Sequence, residues 1–262
     1  MNTKPVRFLV LLGLALATVP AWAQVDEIKS ASAAAAPSVS RRSQDSNTSS
    51  SSGSGSGIIA DIFMFLPHWQ AYKLHPDNKQ RYPSTVSLEL MAPGGYKSSD
   101  TYFFWPRVRG NWGLFSSDLR LNYMFEKGST GKTEQLHTID WQVVQFNITT
   151  SRFITFRAGV GMMTEAFGNF NQYTEWTLGF GIHAPDQSNI FYAEYRDATK
   201  SGLDVKARIE FSAQYMHQIF MTGLLKGYIT GGVVYQKHYG TIDFWAVQAG
   251  LAFRIFPSPQ RF

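Results

Sequence analysis

Hydrophobic and polar residues alternate strictly along residues 204–215, and this pattern guides the interpretation of the whole chain. One row is apolar and consists of Val205, Ala207, Ile209, Phe211, Ala213 and Tyr215. The interleaved row is polar and consists of Asp204, Lys206, Arg208, Glu210, Ser212 and Gln214. Because successive side chains of a β-strand point to opposite faces, the stretch predicts a strand with one apolar and one charged face. Soluble strands usually have about five or six residues, whereas a tilted strand that crosses a bilayer needs about nine to eleven. The length therefore favours a transmembrane strand.

The same two-residue period recurs between residues 84 and 256 and predicts about eight to ten strands. No helical pattern long enough to cross a sheet separates them, so neighbouring strands are expected to pair antiparallel. In a bilayer such a meander has to close, because an open edge would leave backbone groups without hydrogen-bond partners. The predicted fold is all-β, an antiparallel up-and-down transmembrane β-barrel with a disordered N-terminal segment. A soluble exported sandwich is the alternative, although its surface would not need continuous apolar rows.

The first residues have the three parts of a secretory signal peptide. Lys4 and Arg7 precede a short apolar core, and residues 21–23 form an Ala-Trp-Ala cleavage site. We therefore expect residues 1–23 to be removed before Gln24. No later run reaches the roughly eighteen apolar residues of a transmembrane helix. Export combined with amphipathic strands predicts a location in the outer membrane of a Gram-negative cell.

Two segments separate the signal peptide from the predicted barrel. Residues 24–57 form a low-complexity Ala/Ser/Gly linker with too little apolar surface to order itself, which predicts a flexible tail. This tail is expected to be free to engage a periplasmic or outer-membrane protein partner. Residues 58–83 form a lead-in that fits a short helix and a first strand equally well. The barrel is assigned to residues 84–256 and a C-terminal tail to residues 257–262.

Composition narrows the functional classes. Charged residues make up only 16% and aromatic residues 15% of the chain, and the mean hydropathy is −0.18. This combination suits a barrel with an apolar outside and a wet inside. The net charge of +5 includes no basic patch, which makes nucleic acid a poor partner. Cysteine is absent, which excludes thiol catalysis, disulfides and thiolate metal sites. The six histidines are scattered singly, so neither a metal site nor a cofactor is predicted.

His183, Ser188 and Glu194 form a candidate hydrolytic set, since some small barrels modify lipids. A triad needs its members within hydrogen-bond reach, and no family motif surrounds these three residues. We therefore predict a protein without enzymatic activity, with a lipid-modifying outer-membrane enzyme as an alternative.

Charged residues at inward positions of successive strands are the more informative set. They are Arg120, Arg157, Glu175, Glu194, Arg196, Lys206, Arg208 and Glu210. Because an isolated charge in a confined lumen is unfavourable, these side chains are expected to pair. The first interpretation is a plug of paired charges that fills the lumen. The alternative is a narrow channel for small solutes or ions, gated by rearrangement of the pairs.

The signal peptide, the meander over residues 84–256 and the aromatic last strand resemble the small outer-membrane β-barrel proteins of Gram-negative bacteria. The segment from Pro106 to Arg120 is similar to uncharacterised barrel-like proteins of Bacteroidota. The resemblance implies an outer-membrane barrel in contact with lipid, but it carries no functional motif. We predict a structural or accessory component of the cell envelope. Such barrels often end on the aromatic residue of the last strand, whereas this chain continues past Phe256.

Overall fold

The computed structural model describes residues 24–35, 86–112, 115–128, 131–149, 153–168, 170–200 and 205–256. They form one helix, α1 (Gln24–Ala35), and eleven β-strands. The strands are β1 (Val86–Ser98), β2 (Thr101–Phe104), β3 (Arg107–Trp112), β4 (Phe115–Lys127), β5 (Thr133–Thr149), β6 (Ile154–Glu165), β7 (Gln172–His183), β8 (Asn189–Lys200), β9 (Val205–Thr222), β10 (Leu225–His238) and β11 (Ile242–Ile255).

The strands form a closed antiparallel barrel. Strands that follow each other in sequence lie side by side, and β1 also pairs with β11, where Leu88 lies opposite Ile255. β2 and β3 share one position between β1 and β4, so they are two parts of a single strand and the barrel has ten. The break falls at Pro106, which has no backbone N–H to give to the ladder. The predicted all-β barrel is confirmed, with a strand number at the upper end of the predicted range.

Side chains alternate between the lumen and the outer surface. In β11, Phe244 and Ala246 are buried while Trp245 and Val247 are exposed. Buried arginines and carboxylates are concentrated on the lumen side, and large apolar side chains are exposed on the outer side. In a soluble protein large apolar residues are mostly buried and charged residues mostly exposed, so this distribution is the reverse.

Residues 205–215, in the strictly alternating stretch of the sequence, follow the expected alternation except at the start of β9. From Arg208 onward the rows hold, because Arg208 and Glu210 are buried and Phe211 is exposed. At the start, Ala198 pairs with Arg208 and Thr199 pairs with Lys206, so Ala207 is skipped as a β-bulge. A bulge changes the side to which the preceding residues point. Lys206 consequently leaves the lumen row.

The two ends of the barrel differ. We name the end where β1 begins and β11 finishes the terminal end. α1 lies at the opposite end, named the helix end, where it contacts β4, β5 and β11. Val25, Ile28 and Ser32 form the buried face of α1. The two apolar residues belong to a cluster with Phe103 and Phe244 inside the barrel.

The prediction of a disordered linker is wrong for residues 24–35. Compositional reasoning assumes that such a segment has no apolar surface to pack against, but the helix end of the barrel supplies one. Alanine has the highest helix propensity, and Asp26 and Glu27 in the first turn interact favourably with the helix dipole. Packing in the barrel thus orders a helix that composition alone does not predict.

Several predicted segments lie outside the described residues. They are the signal peptide 1–23, the linker residues 36–57, the lead-in 58–83 and the tail 257–262. The barrel predicted over residues 84–256 corresponds to strands from Val86 to Ile255. In the described part of the chain, no helix has the length and apolar character needed to span a membrane.

Candidate functional site

Arginines and carboxylates meet across the lumen in two groups. In the first group, Asp118 and Glu194 each accept hydrogen bonds from Arg107, Arg109 and Arg196. Arg196 Nη2 lies 2.8 Å from Asp118 Oδ2, and its Nε lies 2.6 Å from Glu194 Oε1. These residues come from β3, β4 and β8, so the group connects parts of the wall that are not adjacent.

The second group surrounds Arg120 and Arg208. Nη2 of Arg208 donates to Asp140 Oδ2 at 2.6 Å and to Glu175 Oε1 at 2.8 Å. Nη2 of Arg120 donates to Asp140 Oδ2 at 2.7 Å and to Glu210 Oε2 at 2.9 Å. β4 and β9 are therefore connected through the lumen.

Three further contacts join the groups and extend them. Nη1 of Arg196 lies 3.5 Å from Glu175 Oε2, which connects the first group to the second. Toward the terminal end, Glu89 Oε1 lies 2.8 Å from Arg254 Nη2, and Glu89 Oε2 lies 3.5 Å from Arg109 Nη1. We name the whole set the central network. Its members are Arg107, Arg109, Arg120, Arg196, Arg208, Arg254, Glu89, Asp118, Asp140, Glu175, Glu194 and Glu210.

Burial explains why the central network is so densely connected. The two oxygens of each of its carboxylates together lie within 4.0 Å of nitrogen atoms from at least two arginines. Moving an ion out of water costs several kcal/mol, and removing one member of a buried pair typically costs about 3–5 kcal/mol. The arrangement can hold the walls together, and any path through it requires ion pairs to separate.

Apolar clusters lie toward both ends of the lumen. Near the terminal end the cluster consists of Met91, Ile190, Met216, Tyr228 and Ala252. It lies beside the Glu89–Arg254 pair of the central network, which is two residues closer to the terminal end than Met91 and Ala252. At the helix end the cluster includes Phe103, Trp105, Met124, Leu136, Phe244 and the two apolar residues of α1. Apolar and charged side chains therefore fill the lumen together.

Polar contacts fix α1 over the helix end. The backbone N–H of Val25 donates to Glu126 Oε2 at 2.7 Å, which satisfies one of the unpaired groups at the start of the helix. Ser32 Oγ donates to Glu165 Oε2 at 2.5 Å and accepts from Asn171 Nδ2 at 3.1 Å. The helix is thus anchored near both of its ends.

Six of the eight charged residues predicted for the lumen belong to the central network. They are Arg120, Glu175, Glu194, Arg196, Arg208 and Glu210. Arg157 lies in the lumen and is buried, but it makes no ion pair with any described residue. The prediction for Lys206 is wrong, because the bulge at Ala207 turns it away from the lumen. Its half-exposed side chain pairs with Asp197 at 3.4 Å.

The predicted set also omits half of the central network. The omitted residues are Glu89, Arg107, Arg109, Asp118, Asp140 and Arg254. Alternation marks several of them, since Arg107 and Arg109 flank an outward Val108 and Arg254 stands between Phe253 and Ile255. The alternation of charged and apolar residues is present in these strands, but Pro106 interrupts it just before Arg107 and Arg109.

The structure does not assemble the candidate hydrolytic set. Ser188 Oγ donates to Asp186 Oδ1 at 2.8 Å, whereas His183 Nε2 lies 3.1 Å from Thr155 Oγ1. Glu194 is bound by arginines of the central network. Within the described ranges, no group of three or more His, Asp or Glu side chains is placed to hold a metal ion.

Comparison of the chain with protein-family models, with curated proteins and with solved structures finds no match.

Proposed function

We propose that this chain is an outer-membrane β-barrel protein with a closed lumen, acting as a structural or accessory component of a Gram-negative cell envelope. The observation that carries the proposal is the reversed distribution of side chains, with charge inside the barrel and apolar side chains outside. If this barrel were soluble, its outer surface would be an exposed apolar patch far larger than the few hundred Å² that soluble proteins normally expose. In a bilayer the same surface is buried in lipid.

The apolar outer surface surrounds the barrel. Leu119, Val160, Leu178, Ile229 and Leu251 lie on five different strands, and each is between 42% and 53% exposed. Strands of 12 to 18 residues carry these side chains in most of the wall, and crossing a bilayer requires about nine to eleven residues per tilted strand. Length and exposure together favour a membrane over a soluble sandwich.

Aromatic residues with polar atoms gather on the outer surface toward the helix end. Tyr235 and Trp245 contact each other with ring centroids 4.9 Å apart, and Tyr96 and Tyr102 do so at 5.8 Å. Tyr and Trp are enriched where a membrane meets water, because their rings are apolar and their polar atoms need partners. This group supports an aromatic girdle at one membrane interface.

The filled lumen favours a closed barrel over a narrow channel. The central network crosses the middle of the lumen, and an apolar cluster lies toward each end. Opening a path would require several buried ion pairs to separate at once, and each such loss is expensive. Conduction at rest is therefore not expected.

The proposal is tested with the purified full chain. We expect it to fractionate with outer membranes, to require detergent for extraction and to migrate faster on gels before heating than after. In planar bilayers we expect no stable single-channel steps. Recovery of a soluble periplasmic protein without detergent would contradict the membrane location, and stable conductance steps would contradict the closed lumen.

An accessory role implies a partner, and we propose that residues 36–57 of the linker engage a periplasmic or outer-membrane protein. Residues 24–35 pack against the barrel when α1 is docked, so residues 36–57 are the part of the linker proposed to reach a partner whether or not α1 is docked. Affinity purification from envelopes should recover a defined protein with the full chain and lose it when residues 36–57 are deleted. Equal recovery with both chains would contradict this part of the proposal.

A further inference from the structure

A small cavity lies in the lumen between the central network and the terminal end. Its volume is about 30 Å³. The lining includes Arg109, Thr155, Arg157, Tyr192, Ser212 and Gln214. A polar cavity of this size has room for one or two water molecules or for a single small ion.

Arg157 is the unusual member of the lining. It is 8% exposed, its Nε donates to Asn147 Oδ1 at 3.1 Å, and its guanidinium lies 5.1 Å from the ring centroid of Tyr192. No carboxylate in the described part of the chain lies within ion-pair distance of it. Nearby, Nε of Arg109 is buried and has no hydrogen-bond partner among the described residues. Two buried arginines thus bring unused donor capacity to one place.

The central network has no negative charge to spare for Arg157. The central network contains six arginines and six carboxylates, so it is neutral by itself. Arg157 adds a seventh positive charge next to it. A buried guanidinium remains charged in proteins, and without a compensating anion its burial is costly.

We propose that this cavity binds one halide-sized monovalent anion, with chloride as the natural occupant. Arg157 and Arg109 would supply charged donors. Thr155 Oγ1 can accept from His183 Nε2 at 3.1 Å and then direct its own proton into the cavity. Glu194 also lines the cavity, but Arg107, Arg109 and Arg196 already bind its carboxylate.

The size of the cavity selects the class of anion. About 30 Å³ accommodates a chloride or bromide ion, whereas phosphate or an organic carboxylate needs more room than one or two waters occupy. The bound anion would stabilise the closed lumen by compensating the buried charge of Arg157. This inference does not depend on the membrane location, because the cavity is internal to the barrel.

Bromide is the direct probe. Crystals of the full chain grown in detergent and soaked in sodium bromide should show an anomalous scattering peak in the cavity, within hydrogen-bond distance of Arg157. In solution, Tm should be higher by about 3 °C in sodium chloride than in sodium gluconate of equal ionic strength, as expected for a ligand at several times its Kd. A cavity that holds water only, or equal Tm values in both salts, would overturn the proposal.

Two variants separate binding from a general salt effect. Arg157→Met removes the unpaired charge and should abolish the difference between chloride and gluconate. Gly179→Ala fills part of the cavity without changing charge, and its added Cβ would lie 3.5 Å from Arg157 Cβ, an ordinary contact that should permit folding. It should also lose the chloride effect.

The matched control is Gly231→Ala, whose added Cβ would meet only Gln248 O at 4.0 Å. This variant should keep the full chloride effect. If Arg157→Met does not fold, Gly179→Ala still decides the question. If the Tm difference between chloride and gluconate is as large in Gly179→Ala as in wild type, the site is refuted.

Discussion

Arg196 and Asp118 meet across the lumen, where Nη2 of the arginine donates to Oδ2 of the carboxylate at 2.8 Å although 78 residues separate them in sequence. The same guanidinium also donates hydrogen bonds to Glu194 and Glu175, so one side chain is hydrogen-bonded to three carboxylates from three strands. Arg196 is therefore the junction of the central network.

We expect Arg196→Met to destabilise the barrel by about 3–5 kcal/mol, because the substitution leaves buried carboxylates without their shared partner. The change in stability is measured by unfolding the protein in urea, with the heat-dependent gel shift as the readout of the folded fraction. Lys127→Met removes an exposed cation at the end of β4 and should change stability by less than about 0.5 kcal/mol. Equal stability of Arg196→Met and wild type would contradict a structural role for the network.

The alternation of side chains predicted much of this arrangement. Arg208 and Glu210 were identifiable because a charged row with period two can only face one side of a strand. Their partners Asp140 and Arg120 lie on other strands, and contact depends on how the closed barrel staggers its strands. That information is not contained in the pattern of any single strand.

Two local features limited the prediction further. The bulge at Ala207 reverses Lys206, and a bulge of one residue leaves no mark in an otherwise regular sequence. α1 was hidden by an alanine- and serine-rich composition, since its order comes from the apolar surface inside the barrel. Both errors arise where tertiary contacts decide the local structure.

Ile28 should control the docking of α1. Its side chain is fully buried in the helix-end cluster, so Ile28→Asp would place an unpaired charge among apolar side chains. Ser32 and Asn171 are hydrogen-bonded at 3.1 Å, and the chain has no cysteine of its own. We expect Ser32→Cys with Asn171→Cys to form a disulfide in detergent, and adding Ile28→Asp to reduce its yield at least about tenfold, as a loss of 1.4 kcal/mol or more implies.

Ile28→Val is the control for that experiment, since it keeps an apolar side chain and should keep the disulfide. Undiminished disulfide formation in the Ile28→Asp variant would show that the polar contacts of α1 are sufficient for docking.

Tyr239 should make the helix end sensitive to alkaline pH. Burial and the hydrogen bond from its hydroxyl to Glu165 raise the pKa of Tyr239 above the usual value. A phenol whose pKa is raised by folding contributes stability that is complete below the unfolded pKa of about 10 and declines above it. We expect wild type to lose more stability between pH 9 and 11 than Tyr239→Phe. Tyr102→Phe, at an exposed tyrosine, should retain the wild-type loss, and identical curves for wild type and Tyr239→Phe would contradict the assignment.

The position of α1 leads to a prediction about membrane insertion. α1 lies at the helix end, whereas β1 begins at the terminal end, and residues 36–85 join them. In a barrel that spans a bilayer, the two ends face different compartments. Among the described residues, the central network and the apolar clusters fill the lumen, so we expect the connecting chain not to pass through it. We therefore expect α1 to be docked in detergent and undocked after insertion.

The cysteine pair at Ser32 and Asn171 tests this expectation in intact outer membranes, where oxidation should yield no disulfide. Ser98→Cys with Thr101→Cys is the matched control, because these side chains lie 3.2 Å apart at the same end within the barrel wall. The control pair should cross-link in detergent and in membranes alike. Quantitative cross-linking of α1 in intact membranes would mean that the connecting chain crosses with the barrel, because a filled lumen and a docked helix leave no other path between the two compartments.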